Sequence, residues 1–453
     1  MAAPMSTLST FASLTEQFST WAELKEHIQT SEPSIEVLEF ESSPYVILKY
    51  RDAVSDVPPS VASNLAQVCR SVIWNTDTHS PCCVAPFAAR RDEKVPMDQP
   101  LSVEDFVEGV MINVFRARDD ATTHVTTRSK LNADGKFYSE HTFRQLFDEA
   151  MEATGVTLQD LEAVMGSPEQ EGVTATFMSL VLVHPEHRVV QAVEKPRFWV
   201  IYRGVVKMDS TVEFYTEDLK SEWRPKSYTS SFVAKEWSDL TSMFEEIKKI
   251  KPWNWQGLIV HHGVQRWRFR NSQHDHVRRD LRGSESNAFG RFLRLRANKK
   301  IQEYLRVYPE DSKAFEDYEQ EYRATTNTLY AWYCRCHKEH SVVFKDLPKS
   351  VQPLVFGLHK TYLETLRPNR QTLRLSETID WVLEHLVSEY GVPNFLRLSK
   401  ETVQPPESAT VYEPPAGQRP ARSGPGAPRP AGQRPARAGP GAARQVRPMF
   451  RDE

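Results

Sequence analysis

The sequence has few cysteines and no long apolar segment, and each shortage excludes a class of protein. Its 453 residues include five cysteines, an odd number spread unevenly, which argues against a disulfide framework and favours a reducing compartment. No apolar run approaches the ~20 residues that a membrane-spanning helix needs. The first residues lack the basic and apolar segments of a secretory signal and the arginines of a transit peptide. We therefore predict an intracellular protein, cytoplasmic or nuclear, without a membrane association.

A strong excess of charge of one sign is also missing from the chain as a whole. Lys and Arg number 57 and Asp and Glu number 60, so the formal net charge is only -3. Basic residues are concentrated locally, however, because the segment from Arg266 to Arg306 contains twelve Lys or Arg and four Asp or Glu. This distribution predicts a basic patch on a nearly neutral protein, as a surface that binds a polyanion requires.

The basic patch begins in a predicted β-hairpin. Gly257–Val260 is a short apolar run, His261-His262-Gly263 is a turn signal, and Gln265–Arg270 alternates polar and aromatic residues. With a period of two, Arg266, Arg268 and Arg270 project from one face, and Trp267 and Phe269 project from the other into a core. Three guanidinium groups on one strand face repel one another unless an anion neutralises them, which favours a phosphate-binding groove. The other interpretation is a solvated sheet face.

The periodicity of the whole chain predicts an α+β fold with three segments. Strand patterns and a few helices dominate up to Asn271, including an almost continuous apolar run, Phe177–Pro185, that is typical of a strand buried on both faces. Beyond Arg291 the period changes to 3.6 and indicates helices alone. We predict an antiparallel-sheet domain over residues 1–285, an all-α domain over 286–400 and a disordered tail over 401–453.

The tail is rich in Arg, Pro, Gly and Ala and contains a repeat. Pro415–Ala427 recurs as Pro430–Ala442, and neither copy holds a large apolar residue that could offset the entropy of ordering. Eight arginines lie between Arg419 and Arg451, with no acidic residue among them. One interpretation of such a tail is weak, salt-sensitive attraction to RNA or another polyanion. The other is a solubilising appendage without a binding role.

Two groups of cysteine and histidine are candidates for a metal site, and we predict none at either. Cys82 and Cys83 lie near His79, but adjacent residues of a strand point to opposite faces and do not share one ion. In the sequence Cys334–His340, Cys336 and His340 share one face of a predicted helix and Cys334 points elsewhere. A packed helix is the favoured interpretation and a zinc site the alternative.

The order and spacing of these pieces resemble the RNA ligases of the T-even bacteriophage RNA ligase 1 type, in the covalent nucleotidyltransferase superfamily. The resemblance runs from about Thr20 to Leu398. The similar segments, in order, are Cys69–Ile73 with Ala85–Phe87, Val107–Gly109 at the nucleotidyl-lysine motif, Thr127–Lys130, His184–Val190 at the third motif, Gln256–Val260 at the fourth, and Arg266–Asn271 with Leu281–Gly283 at the fifth.

The resemblance implies a nucleotidyltransferase domain that would use ATP and Mg²⁺ to join RNA ends through a lysine–AMP intermediate. That chemistry requires an amine nucleophile, and the aligned position holds Phe106. The carboxylates of the third and fourth motifs are replaced by Val181 and Gln256, which removes the anionic ligands that Mg²⁺ needs. The paired lysines of the fifth motif are Arg268 and Arg270. The pattern predicts a ligase-like fold whose active site has been lost.

We therefore predict a pseudoenzyme that binds RNA, and ATP or AMP as a further ligand. The candidate phosphate contacts are Arg128, Lys130, Arg266, Arg268 and Arg270, and the candidates for base stacking are Trp199, Tyr202 and Trp267, whose alternative role is to pack in the core. One alternative function is a working ATP-dependent RNA ligase in which Lys94 or Lys130 supplies the amine. Another is a structural scaffold. The sequence identifies no protein partner.

Overall fold

Strands and a few helices form the first part of the chain, and helices alone follow. The computed structural model describes residues 4–51, 64–91, 94–216, 219–228, 236–285, 287–388 and 391–400. The strands are β1 (Ser6–Leu8), β2 (Ile35–Leu38), β3 (Tyr45–Tyr50), β4 (Val72–Asn75), β5 (Ser80–Val84), β6 (Ser102–Asp105), β7 (Val110–Ala117), β8 (His124–Thr127), β9 (Val173–Val183), β10 (Arg197–Lys207), β11 (Val212–Tyr215), β12 (Gly257–His262) and β13 (Gln265–Arg270). The α-helices are α1 (Thr10–Gln17), α2 (Trp21–Ser31), α3 (Asn64–Val68), α4 (Phe143–Thr154), α5 (Leu158–Met165), α6 (Trp237–Ile250), α7 (Ser272–His276), α8 (Ala288–Ala297), α9 (Ile301–Val307), α10 (Ser312–Tyr333), α11 (Gln352–Thr361), α12 (Leu375–Leu386) and α13 (Gly391–Lys400). The predicted α+β class is confirmed.

The largest sheet has six antiparallel strands in the order β1-β11-β10-β9-β7-β8. Its central strand β9 contains the long apolar run, and its two faces enter two different cores. Ala175 and Phe177 pack toward the N-terminal sheet, and Met178 and Leu180 pack in the core that includes α4 and α5. The strand is therefore apolar on both faces, as the sequence predicts.

A second antiparallel sheet, β2-β3-β4-β5, packs against the first. Its edge strand β5 faces the central strands of the large sheet, and the hydroxyl of Tyr202 on β10 donates to the carbonyl oxygen of Val84 at 2.8 Å. Cys82 and Cys83 are both buried in this strand. Helices α1 and α2 complete the core through Phe11 and Leu24.

The third sheet, β13-β12-β6, carries the basic hairpin. The turn consists of Gly263 and Val264, because β12 extends through His261 and His262, which the sequence assigned to the turn. Gly263 has φ +59°. A positive φ at the first turn residue suits a two-residue hairpin loop. Gly257 has φ +137°, and a Cβ there would lie 1.9 Å from the carbonyl oxygen of Phe269. Only glycine therefore allows this close pairing of β12 and β13.

The helices from α8 onward pack around an extensive aromatic core that includes Phe292, Tyr304, Phe315 and Trp332. The sheets and these helices belong to one compact unit. The domain boundary near residue 285 stays a prediction.

The 3.6-residue period predicts single helices over Phe292–Val307 and Phe315–His340, and Ser238 is the predicted N-cap of the helix that contains Leu240. These predicted limits are wrong. The stretch Phe292–Val307 forms two helices, α8 and α9, and Lys299 between them has φ +58°. The stretch Phe315–His340 is helical as α10 but ends in a π-helical turn, Cys334–Lys338. Ser238 does not cap α6, because the helix begins at Trp237 and its N-cap residue is Glu236.

The sequence patterns also missed several short elements, namely β1, β2, β6, β11, α1, α3, α5, α7 and α13. The predicted disordered tail, residues 401–453, lies outside the described residues. Among the helices that the structure describes, none combines the length and the apolar character that a bilayer crossing demands.

Candidate nucleic-acid interface

The register of the three-stranded sheet arranges its residues in rows across the strands. Residues that lie directly opposite each other on neighbouring strands share a face of the sheet. Strand β12 is the central strand and pairs with β13 on one side and with β6 on the other. The three rows on one face are Ser102, His261 and Arg266; Glu104, Ile259 and Arg268; and Phe106, Gly257 and Arg270. The three arginines therefore project from one face, as predicted.

The opposite face of this sheet is apolar. Trp267 and Phe269 pack with Leu258 and Val260 of β12 against Phe244 of α6. The predicted division of β13 between charged and aromatic faces is confirmed. This packing holds β13 firmly, so that the arginine side chains extend from a rigid strand.

Arg266 is the innermost of the three arginines. It is 6% exposed, and the carboxylate of Glu104 lies in its electrostatic neighbourhood. Glu104 accepts from Arg224 at 2.9 Å and from His261 at 2.8 Å. Burial would raise the pKa of Glu104, but His261 and the arginines hold that pKa below its ordinary value. Arg266 is thus part of a buried, charge-compensated network and presents little surface to a ligand.

Arg268 and Arg270 lie in a cluster of like charges. Burial, followed by the guanidinium groups of Arg270 and Arg91, lowers the pKa of Arg268 to about 10. Burial, followed by the charge of Arg278, also lowers the pKa of Arg270. Arg278 therefore repels both Arg268 and Arg270. No ion pair of Arg268 is formed within the described part of the chain, and its buried Nε has no hydrogen-bond partner there. The repulsion among these groups favours binding of an external anion.

One carboxylate is at the centre of this cluster. Asp275 of α7 pairs through Oδ1 with Arg270 Nη1 at 2.6 Å and with Arg278 Nη2 at 3.2 Å, and through Oδ2 with Arg279 Nε at 2.9 Å. Burial opposes the ionisation of Asp275, but Arg270 and Arg278 lower its pKa below the ordinary value. We call Arg91, Arg268, Arg270, Arg278 and Arg279, with Asp275, the arginine cluster. Sequence reasoning missed Arg91, Arg278, Arg279 and Asp275.

The positions aligned with the nucleotidyl lysine and the motif carboxylates lie around the connection between the three-stranded sheet and the large sheet. Phe106 continues β6, where its backbone N–H donates to Gly257 at 2.9 Å, and the guanidinium of Arg270 lies 5.4 Å from the centre of its ring. Gln256 precedes Gly257 and is buried, and its Oε1 has no hydrogen-bond partner among the described residues. Val181 is in the large sheet and packs closely against Gly109. A Cβ atom added to Gly109 would lie only 2.7 Å from Cγ1 of Val181. The link between Phe106 and Gly109 thus connects the two sheets beside all three positions.

Glu108 fixes this link in place. Its carboxylate accepts from the backbone N–H groups of Val190 and Gln191 at 2.8 and 3.1 Å and contacts His274 Nε2 of α7 at 2.5 Å. His274 is 1% exposed. The pair therefore ties α7, and with it Asp275, to the strand connection that holds Phe106.

The remaining predicted basic residues lie elsewhere in the fold. Arg128 and Lys130 are in the loop that follows the edge strand β8, where the backbone of Thr127 donates to Lys130 at 2.9 Å. Lys130 is exposed, and so is Lys94. This loop follows a strand of the large sheet, whereas Arg268 and Arg270 belong to the three-stranded sheet.

The candidate stacking residues differ in exposure. Tyr202 and Trp267 are each 2% exposed, so they pack in cores and leave no ring face for a base, which corrects the expectation for these two. Trp199 is partly buried on β10, and the guanidinium of Arg197 already covers its ring at 3.6 Å. The tryptophan that is exposed near the arginine cluster is Trp253, at 42%. Trp253 directly follows Pro252 in the connection between α6 and β12. A tryptophan beside a proline, outside any strand or helix pattern, was the sequence signal for an exposed side chain.

The cysteines and histidines form no recognisable metal centre. Within the described residues, no group of three or more His, Cys, Asp or Glu side chains is arranged to hold a metal ion. In the π-helical turn after α10, the ring of His337 stacks on that of His359 at 3.7 Å, with 5° between the planes. The nitrogen lone pairs of an imidazole lie in the plane of its ring, so the lone pairs of two parallel, stacked rings do not converge on one ion. His337 and His359 therefore form an aromatic stacking contact.

Comparisons with known proteins give no family. No protein-family model matches the chain, and no curated protein matches it. Two solved structures, described as form 1 and form 2 of an archaeal ATP-dependent RNA ligase, are similar to the chain at a TM-score of 0.36 and 12% sequence identity. The similarity covers 71% and 70% of this chain, respectively, and 82% of each ligase chain. Agreement at this level is too weak to bear on the fold or the activity.

Proposed function

We propose that this protein binds RNA through the arginine cluster and that it does not transfer nucleotides. The observation that supports RNA binding is the pairing of one carboxylate, Asp275, with several guanidinium groups beside Arg268. Arginine forms bidentate hydrogen bonds to phosphate oxygens, so a phosphodiester backbone provides the anions that such a cluster lacks. ATP or AMP is a second ligand that the same chemistry accommodates.

The loss of nucleotidyl transfer is supported by the residues around Phe106. A covalent nucleotidyl intermediate requires an amine at that position, and the phenyl ring instead lies beneath the Arg270 guanidinium. Val181 and Gln256 supply no carboxylate for Mg²⁺. The chain retains the groups that hold phosphate and lacks those that activate it, as expected of a pseudoenzyme with the ancestry that the sequence motifs indicate.

RNA binding is tested by the salt dependence of affinity for a single-stranded oligonucleotide. The logarithm of the binding constant should fall with the logarithm of salt concentration, by about 0.7 for each phosphate neutralised. Changing Arg268 and Arg270 together to Gln should lower the slope by roughly one to two units. As a matched control, the Arg203→Gln and Arg323→Gln pair, which lies outside the arginine cluster, should leave the slope unchanged. RNA affinity that is absent at low salt would contradict the proposal and favour a structural scaffold.

The absence of transfer is tested with ATP labelled at the α-phosphate. The purified protein, incubated with this ATP and Mg²⁺, should show no covalent label on a denaturing gel. A label that disappears in Lys94→Ala or Lys130→Ala would instead establish an active ligase with a displaced nucleophile. Phe106→Lys alone should not restore labelling, because Val181 and Gln256 still provide no ligand for the metal.

A further inference from the structure

We infer that a pocket around Trp253 binds one base of the RNA whose phosphates contact the arginine cluster. The inference rests on the proposed function and adds a base-binding subsite to it. The pocket has a volume of about 510 Å³ and is lined by Trp253, Ser272, Gln273, His276 and Val277. We call it the Trp253 pocket.

Trp253 is unusual in being a large aromatic side chain that is 42% exposed and belongs to none of the buried core clusters. The backbone around it is held in place nevertheless. Asn271, which is 2% exposed, donates through Nδ2 to the carbonyl oxygen of Trp253 at 3.1 Å and accepts through Oδ1 from the backbone of Gln273 at 3.1 Å. The indole is therefore presented at a fixed place beside α7, although folding gains little from its position.

The chemistry of the lining suits a nucleobase. An indole face stacks on any base, because every base has a π-face, and the stacking is sequence-tolerant. The amide of Gln273 and the hydroxyl of Ser272 both donate and accept hydrogen bonds, as the edges of bases do. An aliphatic ligand would use the indole but not these polar groups.

The location of the pocket links it to the phosphate site. Helix α7 supplies Ser272, Gln273 and His276 to the pocket and Asp275 to the arginine cluster. Asp275 is three residues after Ser272, so it lies on a neighbouring side of α7, next to the pocket. A helix with its side chains is ~10–12 Å across, so a base in the pocket keeps neighbouring phosphates of the same strand close to the cluster.

The charges around α7 also favour a polyanion. His276 is held between Asp280 at 2.7 Å and Glu303 at 2.8 Å, and Lys300 lies 3.7 Å from Asp280. The charged groups facing α7 are, on the cationic side, His276, Lys300, Arg270, Arg278 and Arg279, and, on the anionic side, Asp275, Asp280, Glu303 and Glu108, which contacts His274. Positive charge is in excess when His276 is protonated, which complements RNA better than an acidic surface would.

The test compares Trp253→Ala with the unaltered full-length protein on two probes. One probe is a short uridine oligonucleotide, and the other is an abasic oligonucleotide of the same length that keeps the phosphates. We expect the substitution to weaken binding of the uridine probe roughly 5- to 150-fold, the equivalent of ~1–3 kcal/mol for one stacked base. Binding of the abasic probe and the salt slope should not change. Trp253→Phe should retain most of the affinity.

The controls separate this inference from the proposed function. Phe356→Ala removes another aromatic side chain, 63% exposed on α11, and should affect neither probe. If Trp253→Ala weakens both probes equally, or neither, while the unaltered protein still binds with a steep salt slope, the base pocket is refuted and the phosphate site stands. If the unaltered protein binds neither probe at low salt, both proposals fail. Thermal melting checks that the variants are folded.

Discussion

Replacing Asp275 by asparagine should have opposite effects on stability and on RNA binding. The carboxylate pairs with Arg270, Arg278 and Arg279 at 2.6, 3.2 and 2.9 Å, and its side chain is 18% exposed. In the free protein it offsets the repulsion among the arginines. In the proposed RNA complex it should compete with phosphates for the same guanidinium groups. Asp275 is therefore a stabilising residue whose charge opposes the proposed ligand.

The size of both effects follows from these contacts. Partly exposed ion pairs contribute ~0.2–1 kcal/mol each, so the loss of three should lower the free energy of unfolding by roughly 1–3 kcal/mol. Removing one negative charge at an assumed distance of ~6 Å from a proposed phosphate changes their interaction by about 1 kcal/mol, if the effective dielectric constant is ~55, between the values for a protein surface and for water. RNA should bind roughly fivefold more tightly at low salt. The gain should fade at high salt, because screening weakens the interaction.

Urea denaturation and fluorescence anisotropy with a labelled oligonucleotide measure the two effects separately. Asp148→Asn is a matched control, because Asp148 pairs with Arg144 at 3.0 Å on the exposed side of α4. It should cost no more than ~0.5 kcal/mol and leave RNA affinity unchanged. If Asp275→Asn weakens RNA binding in step with stability, the carboxylate does not compete with phosphate, and the arginine cluster is only a structural ion-pair network.

Two further predictions concern buried charges. Glu104→Gln should lower the free energy of unfolding by roughly 3–5 kcal/mol, because it leaves Arg266 and Arg224 without their buried partner; a loss below ~1 kcal/mol in urea denaturation would show that solvent already compensates them. Burial and the Arg282 charge lower the pKa of His187 to about 4 from 6.5. The unfolded chain therefore binds more protons between these values, so stability should decline as pH falls from 6.5 to about 4. His187→Gln should flatten this decline by up to ~3 kcal/mol, and an unchanged profile would refute the assignment.

Local periodicity in the sequence determined much of the fold. The alternation in β13 correctly predicted which residues face the core, because a strand directs successive side chains to opposite sides. The apolar run at Phe177 predicted a strand buried on both faces for the same reason. Helices beyond Arg291 were predicted from their 3.6-residue period. The interruption between α8 and α9 at Lys299 was not predicted, because the left-handed backbone conformation of one residue does not change the spacing of the apolar residues.

The composition of the candidate site depended on tertiary structure. Alternation identified Arg266, Arg268 and Arg270 as one face but could not predict which groups would oppose it. The fold buries Arg266 beside Glu104. It brings Asp275 of α7, and the arginines of the π-helical turn that follows, Val277–Arg282, to Arg268 and Arg270. In the same way, Trp267 and Trp253 are equivalent as residue types, and only packing makes one a core residue and leaves the other exposed. A strand's period determines the direction of a side chain, but the partner that it meets comes from distant parts of the chain, through contacts that local sequence does not encode.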